Sequence, residues 1–117
     1  RRLKEHDPHI LCVAVEPASS ALLSGRKAGP HKIQGIGANF IPGNFDAQVC
    51  DDIATVSDEE AMREMVSFGR ETGILVGISA GANIAAAKRY AAYYPGKTVV
   101  TIAPDGADKY LSVVEFE

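Results

Sequence analysis

Short apolar runs along the chain alternate with helical stretches, and turns containing Gly or Pro separate them. Ile10 to Val15 is a continuous apolar run, which predicts a strand buried on both faces and closed by Glu16-Pro17. Further strands are predicted at Asp51 to Val56, Ile74 to Ile78 and Thr98 to Ala103. Because continuous apolar strands are typical of parallel sheets, the pattern predicts an α/β fold built on a parallel sheet.

Two helices are predicted among these strands. The first begins at the segment from Ser57 to Glu60. Ser57 and Glu60 form a capping box, in which each side chain accepts a hydrogen bond from the other residue's backbone N–H. It ends at Gly73, which supplies a left-handed stop. The second helix runs from Ala80 to Tyr93, and Pro17 to Leu23 is expected to form a short helix or turn. The order β-α-β-α-β predicts right-handed connections and a three-layer αβα arrangement with helices flanking the sheet.

The segment from Gln34 to Phe45 follows neither a helical nor a strand pattern. Three glycines, a proline and two asparagines within it disfavour regular structure. It nevertheless carries four large apolar residues, namely Ile36, Phe40, Ile41 and Phe45. We therefore expect a shaped loop rather than a linker.

Composition and charge exclude several classes of function. The 117 residues, 46% hydrophobic and 23% charged, suit one globular domain at most. The net charge of −3, with scattered Lys and Arg, offers no basic patch for nucleic acid. No run is long enough to span a membrane and the first residues lack a signal-peptide core, so the expected compartment is the cytoplasm. Cys12 and Cys50 have no CxxC spacing or nearby His, which predicts free thiols and no metal site.

Three loops are expected to form the rim of a ligand site, because ligands of parallel sheets collect at the carboxyl ends of the strands. These loops contain Glu16-Pro17, Ser79-Ala80-Gly81 and Pro104-Asp105-Gly106. Ser79 is the leading candidate residue, since it lies between a strand and a helix. There, unpaired N–H groups and the positive end of the helix dipole can hold an electron-rich atom.

One interpretation takes Gly77-Ile78-Ser79-Ala80-Gly81 as the GxSxG nucleophile elbow of α/β-hydrolases. In that fold an acid and then a His follow the serine along the chain. Asp105 or Asp108 would serve as the acid, but all three histidines (His6, His9 and His31) precede Ser79. A simpler interpretation makes Ser79 a helix cap without chemistry. Both interpretations remain open at this point.

Four segments together resemble the cysteine synthase family of pyridoxal-phosphate enzymes, also called O-acetylserine sulfhydrylases. They are Val15 to Pro17, His31 to Gly43, Glu71 to Ala82, and Pro104 to Ser112, in the order that the family has them. The resemblance covers roughly Ile10 to the end of the chain. It implies that the chain is the C-terminal part of the large domain of a fold-type II, tryptophan synthase β-like enzyme. The His31 to Gly43 segment favours cysteine synthase over the related cystathionine β-synthases.

The resemblance also implies a role for several residues. The position of Ser79 gives its hydroxyl to the pyridine nitrogen of pyridoxal 5'-phosphate, and a neutral hydroxyl leaves that ring a modest electron sink. O-acetylserine then loses acetate, and sulfide adds to give cysteine. Gln34 and Gly35 belong to a mobile loop on the substrate side of the cofactor. Gly37 is expected to allow close backbone approach. No catalytic residue is assigned within this chain.

Parts of the family's active site have no counterpart in the chain. The Schiff-base lysine, the Asn-containing substrate loop and the Gly/Thr-rich phosphate loop lie upstream of the matched segments, and Lys32 is in the wrong motif to replace that lysine. Residues 1–117 are therefore expected to form a partial large domain that is inactive alone. The intact family implies a homodimer and a partner, the C-terminal tail of serine acetyltransferase, which this part should bind weakly. The remaining alternative is a short non-catalytic paralogue that acts as a binding module.

Overall fold

The computed structural model describes residues 1–109, and a two-stranded parallel sheet lies at its centre. Strand β1 spans Val13–Pro17 and strand β2 spans Asp52–Val56. They pair in parallel, with Val13 opposite Asp52 and Pro17 opposite Val56. The connection between them contains three 3₁₀ turns, at Ala18–Ser20, Leu22–Ser24 and Ala47–Val49. The two strands predicted first along the chain are thus confirmed, with β1 displaced towards Pro17.

Three helices accompany the sheet: α1 at Arg2–His6, α2 at Asp58–Thr72 and α3 at Ile78–Tyr93. The start and the stop predicted for α2 are confirmed, since Ser57 Oγ accepts the Glu60 N–H at 3.1 Å and Gly73 has φ +76°. The reciprocal half of the capping box is not found. The Glu60 carboxylate instead accepts a hydrogen bond of 3.1 Å from Arg89 of α3. An ion pair between the two helices thus replaces the local bond.

Helix α3 packs against both strands, and α2 packs against α3. The contact between the helices is close because Gly81, in the first turn of α3, faces Ala61 and Met65 of α2. A Cβ atom on Gly81 would overlap the Ala61 carbonyl oxygen and lie 3.0 Å from Met65 Cβ. Small buried residues continue along α3, namely Ala80, Ala82, Ala85 and Ala86. Together with Ile33, Val56 and Ile78 they form one hydrophobic core.

The strands predicted at 74–78 and 98–103 are not formed, so the predicted order β-α-β-α-β is wrong for residues 1–109. Val76 makes a single antiparallel bridge with Gly106, and residues 98–103 have no ladder partner in the described part. A strand exists only where its backbone groups pair with a neighbour. Several apolar side chains of these segments are exposed, namely Leu75 by 53%, Val100 by 85% and Ile102 by 70%, whereas Val76 and Ile78 are buried in the core.

The α/β class with a parallel sheet flanked by helices is confirmed. The irregular segment is also confirmed, since neither a helix nor a strand occurs between Gly25 and Asp46. Both cysteines are free thiols. Within residues 1–109 no helix has the length and hydrophobicity needed to cross a membrane. The last part of the expected family ending, residues 110–112, lies outside the described residues.

Candidate functional site

Ser79 lies in the first turn of α3 and is buried, with 2% of its surface exposed. Its hydroxyl donates a hydrogen bond of 3.1 Å to Oδ1 of Asp105. An ionised carboxylate only accepts, so the single hydroxyl proton points to Asp105 and the lone pairs of Oγ remain available. The first turn is also the positive end of the helix dipole, which favours an electron-rich ligand.

The segment around Asp105 is held against the start of α3 by backbone hydrogen bonds. The Gly77 N–H donates to the Asp105 carbonyl at 2.9 Å, and the Ala107 N–H donates to the Leu75 carbonyl at 3.3 Å. A Cβ atom on Gly77 would overlap the Asp105 carboxylate. Because Gly77 has no side chain, the Asp105 carboxylate can reach Ser79. Because Gly81 has none, α2 can pack closely against the other side of this turn. Close packing therefore accounts for both glycines of the Gly-x-Ser-x-Gly segment.

The loop residues predicted from the sequence have different surroundings, and Gly35 is the one placed beside Ser79. Gly35 has φ +98°, and a Cβ atom on it would lie 3.6 Å from Ser79 Oγ, so the structure brings Gly35 and Ser79 together. Gly37 has φ +68° and lies against Pro17 and His31, where a Cβ atom would be 2.6 Å from the imidazole Nε2. The side chain of Gln34 is exposed to solvent.

Two of the three predicted rim segments meet, those at 79–81 and 104–106. In the third segment, Glu16 and Pro17 make contacts with different parts of the molecule. Glu16 is buried, and its carboxylate accepts from the Leu23 N–H at 2.8 Å, the Ser24 N–H at 3.0 Å and the Ser24 hydroxyl at 2.6 Å. Its partners satisfy the buried charge and tie the end of β1 to the following turn. Pro17 alone faces the loop, beneath Gly37.

Sequence reasoning missed two features of this region. Asp105 was expected at the rim, because it follows an apolar run, but not as the hydrogen-bond partner of Ser79. His31 was given no role of its own, yet it has one ring nitrogen 3.1 Å from the Ile33 N–H and the other 3.0 Å from the Gly37 carbonyl. No spacing in the sequence indicated those contacts, which depend on the folded loop.

The far end of α3 is fixed to the sheet by a second polar contact. The hydroxyl of Tyr90 donates a hydrogen bond to the carboxylate of Asp52, at the start of β2. Burial, followed by this hydrogen bond, raises the pKa of Tyr90 to about 12. The same hydrogen bond lowers the pKa of Asp52. At neutral pH the pair is a phenol donating to a carboxylate, and it fixes the direction of α3 and hence of its first turn.

A parallel sheet flanked by helices, with a buried hydroxyl at the start of α3 and a glycine-containing loop beside it, defines an α/β protein. The family described as pyridoxal-phosphate dependent enzyme matches residues 1–105. The chain belongs to this family.

Individual relatives are similar over nearly the whole chain. A cysteine synthase of Staphylococcus aureus is 47% identical over 94% of this chain and 36% of its own length. The crystal structure of a cysteine synthase from Entamoeba histolytica superposes with a TM-score of 0.91, at 40% identity, over 96% of this chain and 34% of that one. An O-acetylserine dependent cystathionine β-synthase from Helicobacter pylori gives a TM-score of 0.84 at 45% identity, over 94% of this chain and 36% of that one. The chain thus spans about a third of the length of these relatives.

The hydrolase interpretation gains no support from these findings. The partner of Ser79 is a carboxylate, and both ring nitrogens of His31 are within hydrogen-bond distance of backbone groups of the loop. The relatives are named as enzymes of a different chemistry. Their names likewise give no support to the non-catalytic binding module.

Proposed function

We propose that these residues form the C-terminal part of the large domain of a pyridoxal-phosphate-dependent cysteine synthase. The enzyme would convert O-acetylserine and sulfide to cysteine and acetate. The observation that carries the proposal is the buried Ser79 hydroxyl at the start of α3 with Gly35 of the irregular loop beside it. The 47% identity to a named cysteine synthase supports it.

The donor set around Ser79 fits the nitrogen of a pyridine ring. The hydroxyl carries no charge, and turning its O–H from Asp105 towards an unprotonated ring nitrogen would let it donate a hydrogen bond there. When bound, the cofactor supplies an electron sink that permits loss of a leaving group from the β-carbon of an amino acid. A neutral hydroxyl moderates that sink, whereas a carboxylate in direct contact would strengthen it.

The remaining site residues would orient the reactants. Asp105 holds the Ser79 side chain at the start of α3 through their hydrogen bond, and the loop from Gln34 to Gly37 would face the substrate. Gly35 adds no side chain to the space beside Ser79. Gly37 allows the loop backbone to reach the end of β1, because any side chain there would meet Pro17 and His31.

Other parts of the active site would come from polypeptide outside these residues. We place there the Schiff-base lysine, the Asn-containing substrate loop and the phosphate loop, so the chain alone would be inactive. The exposed apolar segments at 74–75 and 99–102 support this proposal, because they have the composition of buried strands but no ladder partner within residues 1–109. Unpaired strand edges of this kind bind further strands.

The proposed enzyme would be a cytoplasmic homodimer. The C-terminal tail of serine acetyltransferase would be its partner, bound weakly by this part alone because the Asn-containing loop would hold most of the tail's carboxylate. The choice of sulfide as the nucleophile depends on the resemblance of residues 31–43 to cysteine synthase, since a cystathionine β-synthase also matches this chain at 45% identity.

A chimaera tests the proposal directly. The matched third of the S. aureus enzyme is replaced by this chain, and cysteine formation from O-acetylserine and sulfide is measured, with the chimaera carrying Ser79→Ala alongside. We expect cysteine synthesis in the chimaera and a loss of about tenfold or more in the variant, the effect of removing one hydrogen bond to the reacting system. A folded chimaera that binds pyridoxal phosphate and makes no cysteine would refute the proposal.

A further inference from the structure

His31 lies at the entrance to the irregular loop, and backbone groups engage both nitrogens of its ring. The Ile33 N–H donates to Nδ1 at 3.1 Å, and Nε2 lies 3.0 Å from the Gly37 carbonyl oxygen. A backbone N–H can only donate and a carbonyl oxygen can only accept. Nδ1 is therefore the unprotonated nitrogen, and Nε2 carries the hydrogen. The two contacts select one neutral tautomer of the imidazole.

The two hydrogen bonds anchor opposite ends of one short segment. Ile33 is fully buried in the hydrophobic core, so its end of the segment is fixed by packing. Gly37 has φ +68° and lies directly on the imidazole and on Pro17, where a Cβ atom would be 2.6 Å from Nε2. The ring is thus both a hydrogen-bond donor and a packing surface for the turn at Gly37.

Gly35 lies midway between these anchors and is the residue beside Ser79, where a Cβ atom would lie 3.6 Å from Oγ. It has φ +98°, a backbone conformation that favours glycine. Because glycine adopts many other conformations as readily, its own preference does not fix this one. The position of Gly35 relative to Ser79 therefore depends on the anchors at both ends, and His31 contacts both of them.

We propose that His31 is a positioning residue for the loop from Gln34 to Gly37. Its Nε2–H tautomer holds Gly35 against Ser79, and the ring itself touches neither substrate nor cofactor. This inference rests on the proposed function for the identity of the site, while the anchoring itself is a property of the folded chain.

The tautomer is measured by long-range ¹H–¹⁵N correlation on the ¹⁵N-labelled chain at about pH 9, where unperturbed imidazoles are neutral. We expect one His to show a single tautomer, with Nδ1 at the shift of a bare nitrogen and Nε2 at that of a protonated one. The exposed His6 and His9 serve as internal references, and the signals lost in His31→Gln give the assignment. The opposite tautomer, or a mixture like that of the references, overturns the proposal.

Three variants separate the two anchors. His31→Gln places an amide donor near the former Nε2 and retains the bond to Gly37. His31→Asn keeps only an acceptor near the former Nδ1, and His31→Ala removes both. Amide hydrogen exchange of Ile33, whose N–H donates to Nδ1, should rise about tenfold in the Ala and Gln variants, the effect of one net hydrogen bond, and much less in the Asn variant. His9→Gln is the matched control on an exposed histidine and should change nothing.

The same variants in the chimaera connect the loop to substrate binding. We expect His31→Ala to raise the KM for O-acetylserine about tenfold with a smaller change in kcat, and His31→Gln to restore most of it. Unchanged exchange in His31→Ala overturns the proposal, as does faster exchange with an unchanged KM. The spectra and exchange rates need no cofactor, so a wild-type chimaera that folds, binds pyridoxal phosphate and makes no cysteine would refute the proposed function and leave the anchoring test intact.

Discussion

Replacing Gly81 by Ala tests the packing that positions Ser79, because two physical effects of opposite sign compete there. Gly81 lies inside α3, where Ala is normally the better residue by about 1 kcal/mol. Its added Cβ atom, however, would overlap the carbonyl oxygen of Ala61 and lie 3.0 Å from Met65 Cβ. Both neighbours are fully buried on α2, and the oxygen belongs to the backbone.

The structure decides which effect is larger. Overpacking costs about 1–3 kcal/mol, and the upper end applies where the obstacle cannot change rotamer. We therefore expect Gly81→Ala to lower the free energy of unfolding by about 2 kcal/mol and the melting temperature by about 8 °C. The shift between α2 and α3 should also displace the first turn of α3 from Asp105.

The assay is urea unfolding of the purified protein, followed by far-ultraviolet circular dichroism. Gly43→Ala is the matched control, because a Cβ atom on Gly43 would meet nothing within 4 Å. That control should be neutral or more stable by up to about 1 kcal/mol, through the unfolded chain alone. A Gly81→Ala variant as stable as the wild type would show that helix propensity outweighs the contact and would refute the packing argument.

Three further predictions follow from polar contacts of the described residues. In a double-mutant cycle on unfolding, Ser79→Ala and Asp105→Ala should show a coupling energy of about 1 kcal/mol; additive effects would exclude a hydrogen bond between these side chains. Because the pKa of Tyr90 is raised from 10.0 to about 12, the stability it contributes is present below pH 10.0 and lost as the pH rises towards 12. The alkaline loss should be smaller in Tyr90→Phe, and equal losses in both proteins would contradict the assignment. Glu16→Gln should lower stability by about 1–3 kcal/mol in thermal unfolding, since an amide group cannot accept from all the donors around that carboxylate; an unchanged melting temperature would contradict its buried role.

Local signals in the sequence predicted α2 and α3 well, whereas the short helix α1 was not predicted. The Ser57 cap and the Gly73 stop depend on residues within one turn, and α2 and α3 form close to their expected bounds. The strands at 74–78 and 98–103 were predicted wrongly because an apolar run shows that a segment tends to be buried, not that a partner lies beside it. The predicted hydrogen bond from the Ser57 N–H to the Glu60 carboxylate is absent for a similar reason, because Arg89 of α3 binds that carboxylate instead.

The candidate site shows the same division between local and tertiary information. The motif pointed to Ser79, which lies at the start of α3, and the resemblance to cysteine synthase pointed to Gly35. The Ser79 to Asp105 hydrogen bond joins residues 26 apart, and no local pattern specifies it. Glu16 was predicted as a rim residue because it follows an apolar run, but its carboxylate accepts three hydrogen bonds from the next turn.

The visible absorption spectrum with pyridoxal phosphate, recorded before and after O-acetylserine, decides whether the Ser79 hydroxyl serves the cofactor. We expect a coloured chimaera whose spectrum changes with O-acetylserine. The change should be weaker in Ser79→Ala, while the chain without the rest of the domain stays colourless and unresponsive. A coloured chimaera whose response to O-acetylserine is the same with Ser79 and with Ala would contradict the assignment of this hydroxyl to the cofactor.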